Sequence, residues 1–364
     1  MILFGMKDIG GANAILPVAK CLNGSIYADG VSFYRFKSDY PLISSSFAPD
    51  KVLDWFSPAA VVATTCSPGG VVPITLVRAA KERGIKTIVV QDFWGNHLKH
   101  SPWNPAKPEW DSNSLPDVMC VQDAFAKKLV LANWPCYNEK NIVITGQPVF
   151  DRLNNINCAK TQKELRETLG LTENWPVVYF SGQLWGMPEA VKATIDAFNI
   201  FGKPIYFILS DHPRLFSRDA SGDVKQIYCQ YKDKPKELKF GTVVDCFSLK
   251  SVELIKYGAD IIMGMYPTAV VEGCYLKKDC ITVWTPKVKD ILLAETGNIL
   301  DDFPPAALGA SLRGVNSEAL AANLERIFRG DTGEMREAQR KHYVSDGKAS
   351  SRVHHVIVKS IFFN

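Results

Sequence analysis

Several whole classes of protein are excluded by what this sequence does not contain. Its 364 residues hold no apolar run of the roughly 18 residues that a membrane-spanning helix needs. The first twenty residues, MILFGMKDIGGANAILPVAK, lack the basic start, long apolar centre and small-residue cleavage site of a secretory leader. Cysteine occurs nine times, at 21, 66, 120, 136, 158, 229, 246, 274 and 280, an odd number with no CxxC pair. Neither a disulfide framework nor a zinc site is therefore expected, and apolar neighbours such as VMCVQ and KDCITVW read these as reduced core residues. No GxGxxG is present, so a nicotinamide cofactor lacks its phosphate loop and a dinucleotide oxidoreductase ranks low. Charge of one sign is missing too: 42 basic against 38 acidic residues give a net +4. That balance is too mild for a nucleic-acid binder but compatible with a small anionic substrate. These omissions predict a cytoplasmic protein with no resident cofactor or metal.

What is present is one rhythm used twice. Short runs rich in Val and Ile alternate with helical patterns, the signature of parallel βαβ units. In the first half, strands are expected at 1–6, 25–29, 60–65, 86–92, 117–122 and 141–146, with helices at 14–21, 72–83 and 124–133. After TGQPVFDRLNNINCAKTQ the rhythm restarts. Strands are expected at 176–182, 205–211, 241–246, 260–265 and 280–285, with helices at 188–201, 251–257, 269–276 and 317–329. Two α/β domains in tandem follow, at 1–150 and 151–345, each a Rossmann-like, doubly wound parallel sheet. The segment 346–364, ending SSRVHHVIVKSIFFN, has no clear helical stripe; packing back on the first domain is its expected role, and contact with a membrane surface is the alternative. Residues 100–116, rich in Pro, Trp and Asn, read as a long loop, either a lid or an acceptor-contacting insertion.

Ligands of open parallel sheets bind beyond the carboxyl ends of the strands, so the residues that follow each strand carry the functional argument. In YFSGQLWGMPEA, Gly182 and Gln183 sit in a small turn feeding a helix start, where backbone N–H groups can meet a phosphate; an ordinary βα turn is the alternative. In SDHPRLF, the imidazole of His212 can donate to a phosphate oxygen and the guanidinium of Arg214 can pair with it bidentately, with Pro213 fixing the turn. A locally satisfied turn is the plainer possibility. In MYPTAVVEG, Thr268 is placed at a helix N-cap and Glu272 one turn on, suiting a diphosphate and the two hydroxyls of a ribose, unless they are merely a cap and a solvated acid.

These features together resemble the GT-B glycosyltransferase superfamily: two tandem Rossmann-like domains, TGQPVFD at the junction, an HP turn, and a TAVVE helix start followed by KKDCITV. The same superfamily includes the UDP-N-acetylglucosamine 2-epimerases, which have a similar Gly-x-Pro junction. The resemblance implies two domains facing a cleft, a nucleotide-sugar donor held by the second and an acceptor on the first. His212 and Arg214 resemble the HP turn that meets the donor phosphate in members using CMP-sugars, and Thr268 and Glu272 resemble the helix that holds diphosphate and ribose. One departure is that the SGG loop of the UDP-sugar epimerases is here MYPTA.

The first half supplies candidate chemistry of its own. Gly10 and Gly11 in KDIGGANAIL permit a tight turn and close approach of an acceptor, while Asp8 is either an acceptor-facing catalytic acid or a helix cap. In VVQDFWGNHLKH, Asp92 and His97 are the candidate bases for a sugar hydroxyl, with Trp94 as an aromatic platform for it; a loop-capping Asp92 and merely exposed histidines are the alternative. The expected function is transfer of a sugar from a CMP- or UDP-sugar to a hydroxyl of a glycan or glycoconjugate, inverting and metal-independent. A nucleotide-sugar 2-epimerase and a non-catalytic nucleotide-sugar-binding protein are the rivals.

Overall fold

Why the alternating runs form parallel sheets is visible in their burial. Strands such as Ala60–Thr64, sequence AVVAT, are buried along their whole length, and only a sheet covered by helices on both faces makes every residue of a strand interior. The computed structural model describes residues 1–65, 71–104, 109–212, 215, 222–245 and 252–362. These divide into two compact units, Met1–Asn154 with the stretch from Asp346, and Asn155–Ser345.

The first unit runs β1 (Ile2–Met6), α1 (Ile9–Leu22), β2 (Ser25–Ala28), α2 (Gly30–Phe36), β3 (Leu42–Ser44), α3 (Pro49–Phe56), β4 (Ala60–Thr64), α4 (Val71–Glu82), β5 (Lys86–Val90), α5 (His97–His100), β6 (Trp103–Asn104), β7 (Glu109–Trp110), β8 (Val118–Val121), α6 (Ala124–Asn133) and β9 (Ile142–Ile144). Among the described residues its sheet has the order β3-β2-β1-β4-β5-β8-β9, all neighbours parallel. The chain builds outward from β1 on one side and from β4 on the other, so the strand order reverses between them. On one face α1 packs with Phe4 and Met6; on the other Leu76 and Ala80 of α4 pack with Leu3.

The second unit runs α7 (Cys158–Leu169), β10 (Val177–Ser181), α8 (Met187–Phe201), β11 (Tyr206–Ser210), α9 (Gly222–Tyr231), β12 (Thr242–Val243), α10 (Val252–Gly258), β13 (Ile261–Gly264), α11 (Thr268–Tyr275), β14 (Asp279–Val283), α12 (Pro286–Glu295), α13 (Pro304–Ala307), β15 (Leu312–Gly314), α14 (Ser317–Phe328) and α15 (Gly333–His342). Its sheet, order β12-β11-β10-β13-β14-β15, is again parallel and reverses between β10 and β13. Each sheet is thus a doubly wound Rossmann-like layer. No helix among the described residues is long and apolar enough to cross a membrane.

Some expectations need correction. The stretch 100–116 is not a bare loop: β6 and β7 pair as a short antiparallel ribbon, and Arg78 of α4 forms an ion pair with Asp111 behind it; residues 105–108 lie outside the described set. Of the seven described cysteines, Cys21, Cys136 and Cys229 are exposed and only Cys120, Cys274 and Cys280 are buried, because apolar neighbours in sequence do not fix which face of a helix or turn a side chain takes. Residues 349–362 do carry a helical stripe. In α16 (Ala349–Phe362), Val353, Val356, Ile357 and Ser360 are buried at the 3-and-4 spacing of one helix face. The apolar members of that face join α1, β4 and β5 in one core cluster.

The start of α16 is held by Asp151, whose two carboxylate oxygens accept from the N–H groups of Ala349 (2.9 Å) and Ser350 (2.8 Å). Arg352 donates from Nε to the carbonyl of Thr145 at 2.7 Å. Gly146 lies between them at φ +78°, where a Cβ would come within 3.1 Å of both Ala349 and Arg352. Asp151→Ala removes the partner of two otherwise unsatisfied helix-start donors and is expected to lower unfolding free energy by about 1–2 kcal/mol, read as a fall in the urea midpoint at unchanged slope. An unchanged midpoint would show that the cap does not anchor this helix.

Candidate functional site

At the strand-order reversal of the first unit, three loops end side by side. Asp8 follows β1, Thr65 follows β4 and Asp92 follows β5. Asp8 is the N-cap of α1, with extended backbone and Oδ1 accepting from the Gly11 N–H at 2.8 Å. Thr65 and Asp92 grip each other in both directions: the Thr65 hydroxyl donates to Oδ1 of Asp92, and the Asp92 N–H donates to that hydroxyl at 3.0 Å. Asn96 Nδ2 adds a second donor to the same oxygen at 2.9 Å. From the TGQP segment, Gln147 Nε2 donates to the carbonyls of Gln91 (3.0 Å) and Asp92 (2.9 Å), fixing the backbone that carries the carboxylate.

The two glycines act here through space. A Cβ on Gly10 would stand 3.2 Å from Oδ2 of Asp92 and 3.8 Å from Oδ1 of Asp8, so the absent side chain leaves a gap into which both carboxylates point. A Cβ on Gly11 would meet the Thr64 hydroxyl oxygen at 2.5 Å. Burial, together with the charge of Asp8, raises the Asp92 carboxyl from 3.8 to about 7; hydrogen bonds from Thr65 and Asn96 and the charge of Lys99 oppose the rise. A carboxyl that exchanges its proton near neutral pH, held by two hydrogen bonds, is suited to general-base or general-acid work.

Asp8, Gly10, Gly11 and Asp92 therefore converge on one spot, but two other residues expected there do not. His97 is wholly buried, its ring edge-on to Trp134 with centroids 5.2 Å apart and its Nδ1 3.4 Å from Gln91 Nε2. Burial pushes it down to about 3, so it stays neutral and packs as a core side chain. Trp94 is 2% exposed and donates its indole N–H to Asp123 at 3.0 Å, so it is a strut rather than a platform. Thr65, Asn96 and Gln147 were missed. Asn96 stands one helical turn beyond Asp92, a spacing that could have signalled it, whereas nothing local marks Gln147.

In the second unit the corresponding loops follow β10 and β13. The Gly182 N–H donates to the Ser210 carbonyl at 2.7 Å, and a Cβ there would lie 2.4 Å from that oxygen, so only glycine lets the two turns touch. Gln183 Oε1 accepts from the Tyr266 N–H at 3.0 Å and joins the two loops. His212, half-buried at the exit of β11, accepts from the Leu215 N–H at its carbonyl (2.9 Å). Beside it, Asp211 accepts from the Tyr231 hydroxyl at 2.8 Å, and burial raises its carboxyl above the ordinary range. Arg214 and Pro213 lie outside the described residues.

Thr268 is exposed at the first position of α11, with Pro267 rather than Thr268 at the N-cap and no side-chain cap bond. Its side chain therefore faces solvent at the helix start, while the Val270 N–H of the same turn donates to the Pro267 carbonyl at 3.1 Å. Glu272 does not share that exposed face. It is 2% exposed and forms an ion pair with Lys256 of α10, with the Tyr257 hydroxyl 3.4 Å from Oε1. Helix position alone could not reveal a cation arriving from a neighbouring helix. Among the described residues no group of three or more His, Cys, Asp or Glu side chains is placed to hold a metal ion.

No family model matches the sequence, and no curated protein matches it. Solved structures do. The chain is similar to the UDP-GlcNAc 2-epimerase from Neisseria meningitidis bound to UDP-GlcNAc (TM-score 0.66, 13% identity, covering 98% of this chain and 99% of that one). It is similar also to a glycosyltransferase from Rickettsia africae (TM-score 0.62, 14% identity, 100% and 99% covered) and to MurG of Acinetobacter baumannii (TM-score 0.58, 15% identity, 98% and 99% covered). The fold is that of the GT-B glycosyltransferases and the 2-epimerases that share it.

The raised Asp92 carboxyl has a stability consequence with a definite sign. Between about pH 4 and pH 7 the unfolded chain has lost this proton and the folded chain keeps it, so stability falls as pH rises through that window. Asp92→Asn keeps an oxygen for Thr65 and Asn96 but cannot ionise. Its thermal midpoint, measured against the parent protein, is expected to gain steadily from about pH 4 to about pH 7.5; a pH-independent difference would show that Asp92 titrates normally.

Proposed function

We propose that the protein is a glycosyltransferase that moves a sugar from a CMP- or UDP-sugar to a hydroxyl of a glycan or glycoconjugate, in the cytoplasm or at a membrane periphery. The observation that carries this reading is the Asp8–Asp92 pair at the strand-order reversal, with Asp92 raised to about 7 by burial and by Asp8. A carboxylate with that affinity for a proton takes one from an attacking hydroxyl more readily than an ordinary aspartate does.

As the acceptor oxygen bonds to the anomeric carbon, its proton passes to Asp92, the bond from that carbon to the phosphate oxygen breaks, and the electron pair leaves with the nucleotide. The departing charge needs fixed donors of the kind that stabilise developing negative charge, and the second unit carries candidates for that task in the Thr268 hydroxyl at the start of α11 and the imidazole of His212. Arg214 belongs to the same proposal through its place in the HP turn. Gly182 and Gln183 shape the phosphate side, and Glu272 serves it indirectly, by holding Lys256 against α11.

A nucleotide-sugar 2-epimerase is the second reading. It is favoured by the likeness to the Neisseria enzyme, whose structure holds UDP-GlcNAc, and a carboxylate pair would serve proton transfer at a sugar carbon equally well. Conversion of the donor without any acceptor would select it.

The test is a thermal-shift panel of UDP, CMP, GDP, TDP and ADP, followed by turnover of the matching nucleotide-sugar. A ligand that binds only the folded state must raise the midpoint. Asp92→Asn is expected to lower turnover by about 10²–10⁴-fold while leaving the nucleotide shift intact, and turnover by the parent should rise with pH through about 7 as Asp92 loses its proton. Silence across the panel would overturn the reading.

A further inference from the structure

We propose that a cavity of about 460 Å³ beside Trp185 in the second unit is a sugar subsite that takes the glycosyl ring of the donor. This rests on the transferase reading, and it adds what that reading leaves open: which surface distinguishes a nucleotide-sugar from a bare nucleotide.

The cavity lies at the carboxyl end of the sheet, over the turn from β10 to α8, with Ile227 and Gln230 of α9 on one side and Lys287, Ile291 and Glu295 of α12 on the other. Its volume falls in the range of small-ligand sites. Trp185 stands at it 43% exposed, so part of its indole faces the space. The indole is carried on a stiff turn. Leu184 and Met187 on either side are buried, and Gly186 holds φ +78° with its missing Cβ only 2.9 Å from Ile291 Cδ1. A rigid indole can bind without losing much freedom.

The chemistry of the lining selects the occupant. A pyranose has an apolar C–H face that lies against an aromatic ring, and a rim of hydroxyls that each donate and accept. Here Trp185 supplies the ring, the Glu295 carboxylate accepts, the Lys287 ammonium donates and the Gln230 amide does both. These groups come from two helices, on different sides of the space. A purely apolar guest would leave three polar side chains unused, and a nucleobase presents its polar atoms along its edges rather than around a full rim.

The cavity is also wired to the phosphate side. The Tyr266 hydroxyl donates to Glu295 Oε2 at 3.2 Å, and the Tyr266 N–H donates to Gln183 Oε1 at 3.0 Å. Tyr266 is two residues before Thr268, so one buried tyrosine spans from the helix start that meets phosphate to the carboxylate that would meet a sugar hydroxyl.

The experiment is calorimetric titration of the parent protein, Trp185→Ala and Trp185→Phe with two ligand pairs: UDP and UDP-N-acetylglucosamine, and CMP and CMP-N-acetylneuraminate. For the pair that binds, Trp185→Ala is expected to weaken the nucleotide-sugar roughly tenfold and the bare nucleotide less than about twofold, with Trp185→Phe recovering part of the loss. Equal weakening of both ligands would put the base rather than the sugar on Trp185 and overturn the proposal, as would no weakening of either. If the parent protein binds neither pair, the transferase reading fails and the subsite falls with it, an outcome distinct from selective loss in the variants. Should Trp185→Ala fail to fold, Trp185→Phe still separates these results, because it preserves bulk while reducing stacking area.

Discussion

One topological constraint governs the site in the first unit. β1 and β4 are neighbours in the sheet, yet the helices that follow them pack on opposite faces, α1 against Phe4 and Met6 and α4 against Leu76's partner Leu3. Two chains that leave adjacent strands in opposite directions cannot fill the space between them. A crevice must open there, and Asp8 stands beside it because it lies just past the end of β1, at the N-cap of α1. Asp92, one strand further out, is turned back toward it by Thr65 and by the Gln147 amide. The raised affinity of Asp92 for its proton follows from this placement, first because burial disfavours its charge and then because Asp8 stands close.

Asp8 serves two ends that pull against each other. As an N-cap it satisfies a helix-start N–H, and its negative charge suits the positive end of the helix dipole. As a neighbour it opposes ionisation of Asp92. The helix therefore holds in place a charge that helps keep a second carboxyl protonated. Gly10 and Gly11 complete the arrangement, because any side chain there would occupy the shared gap or strike Thr64.

Features that depend on chain-local chemistry were legible in the sequence. The parallel rhythm placed every strand whose apolar run is at least four residues long, and it predicted α6 at its observed bounds. It passed over β3 and β15, three-residue strands reading LIS and LRG, which pair only because a longer neighbour offers a ladder. The nearness of Asp8 and Asp92 is foreshadowed in the sequence because a carboxylate just past a strand is a local signal. His97 and Trp94 misled for the same reason: being near a strand exit in sequence does not tell which way a side chain turns, and both turn inward. Glu272 shows a third kind of failure, since its cation sits on α10, sixteen residues away in sequence. Long-range partners of that sort, like Gln147 for Asp92, become visible only when the chain is folded.

The placement of α16 has a consequence for how the molecule comes into being. A ribosome delivers residues in order, and domains generally fold as they emerge. The second unit, Asn155–Ser345, is uninterrupted and can close as soon as it has been made. The first unit cannot, because Val353, Val356 and Ile357 belong to its core and Asp151 waits for the N–H groups of Ala349 and Ser350. For the time it takes to synthesise nearly two hundred residues, the α1 face of the first sheet stands without its cover. That interval is when the apolar surface of α1 is open to chaperones and to misassociation, and the arrival of one helix ends it.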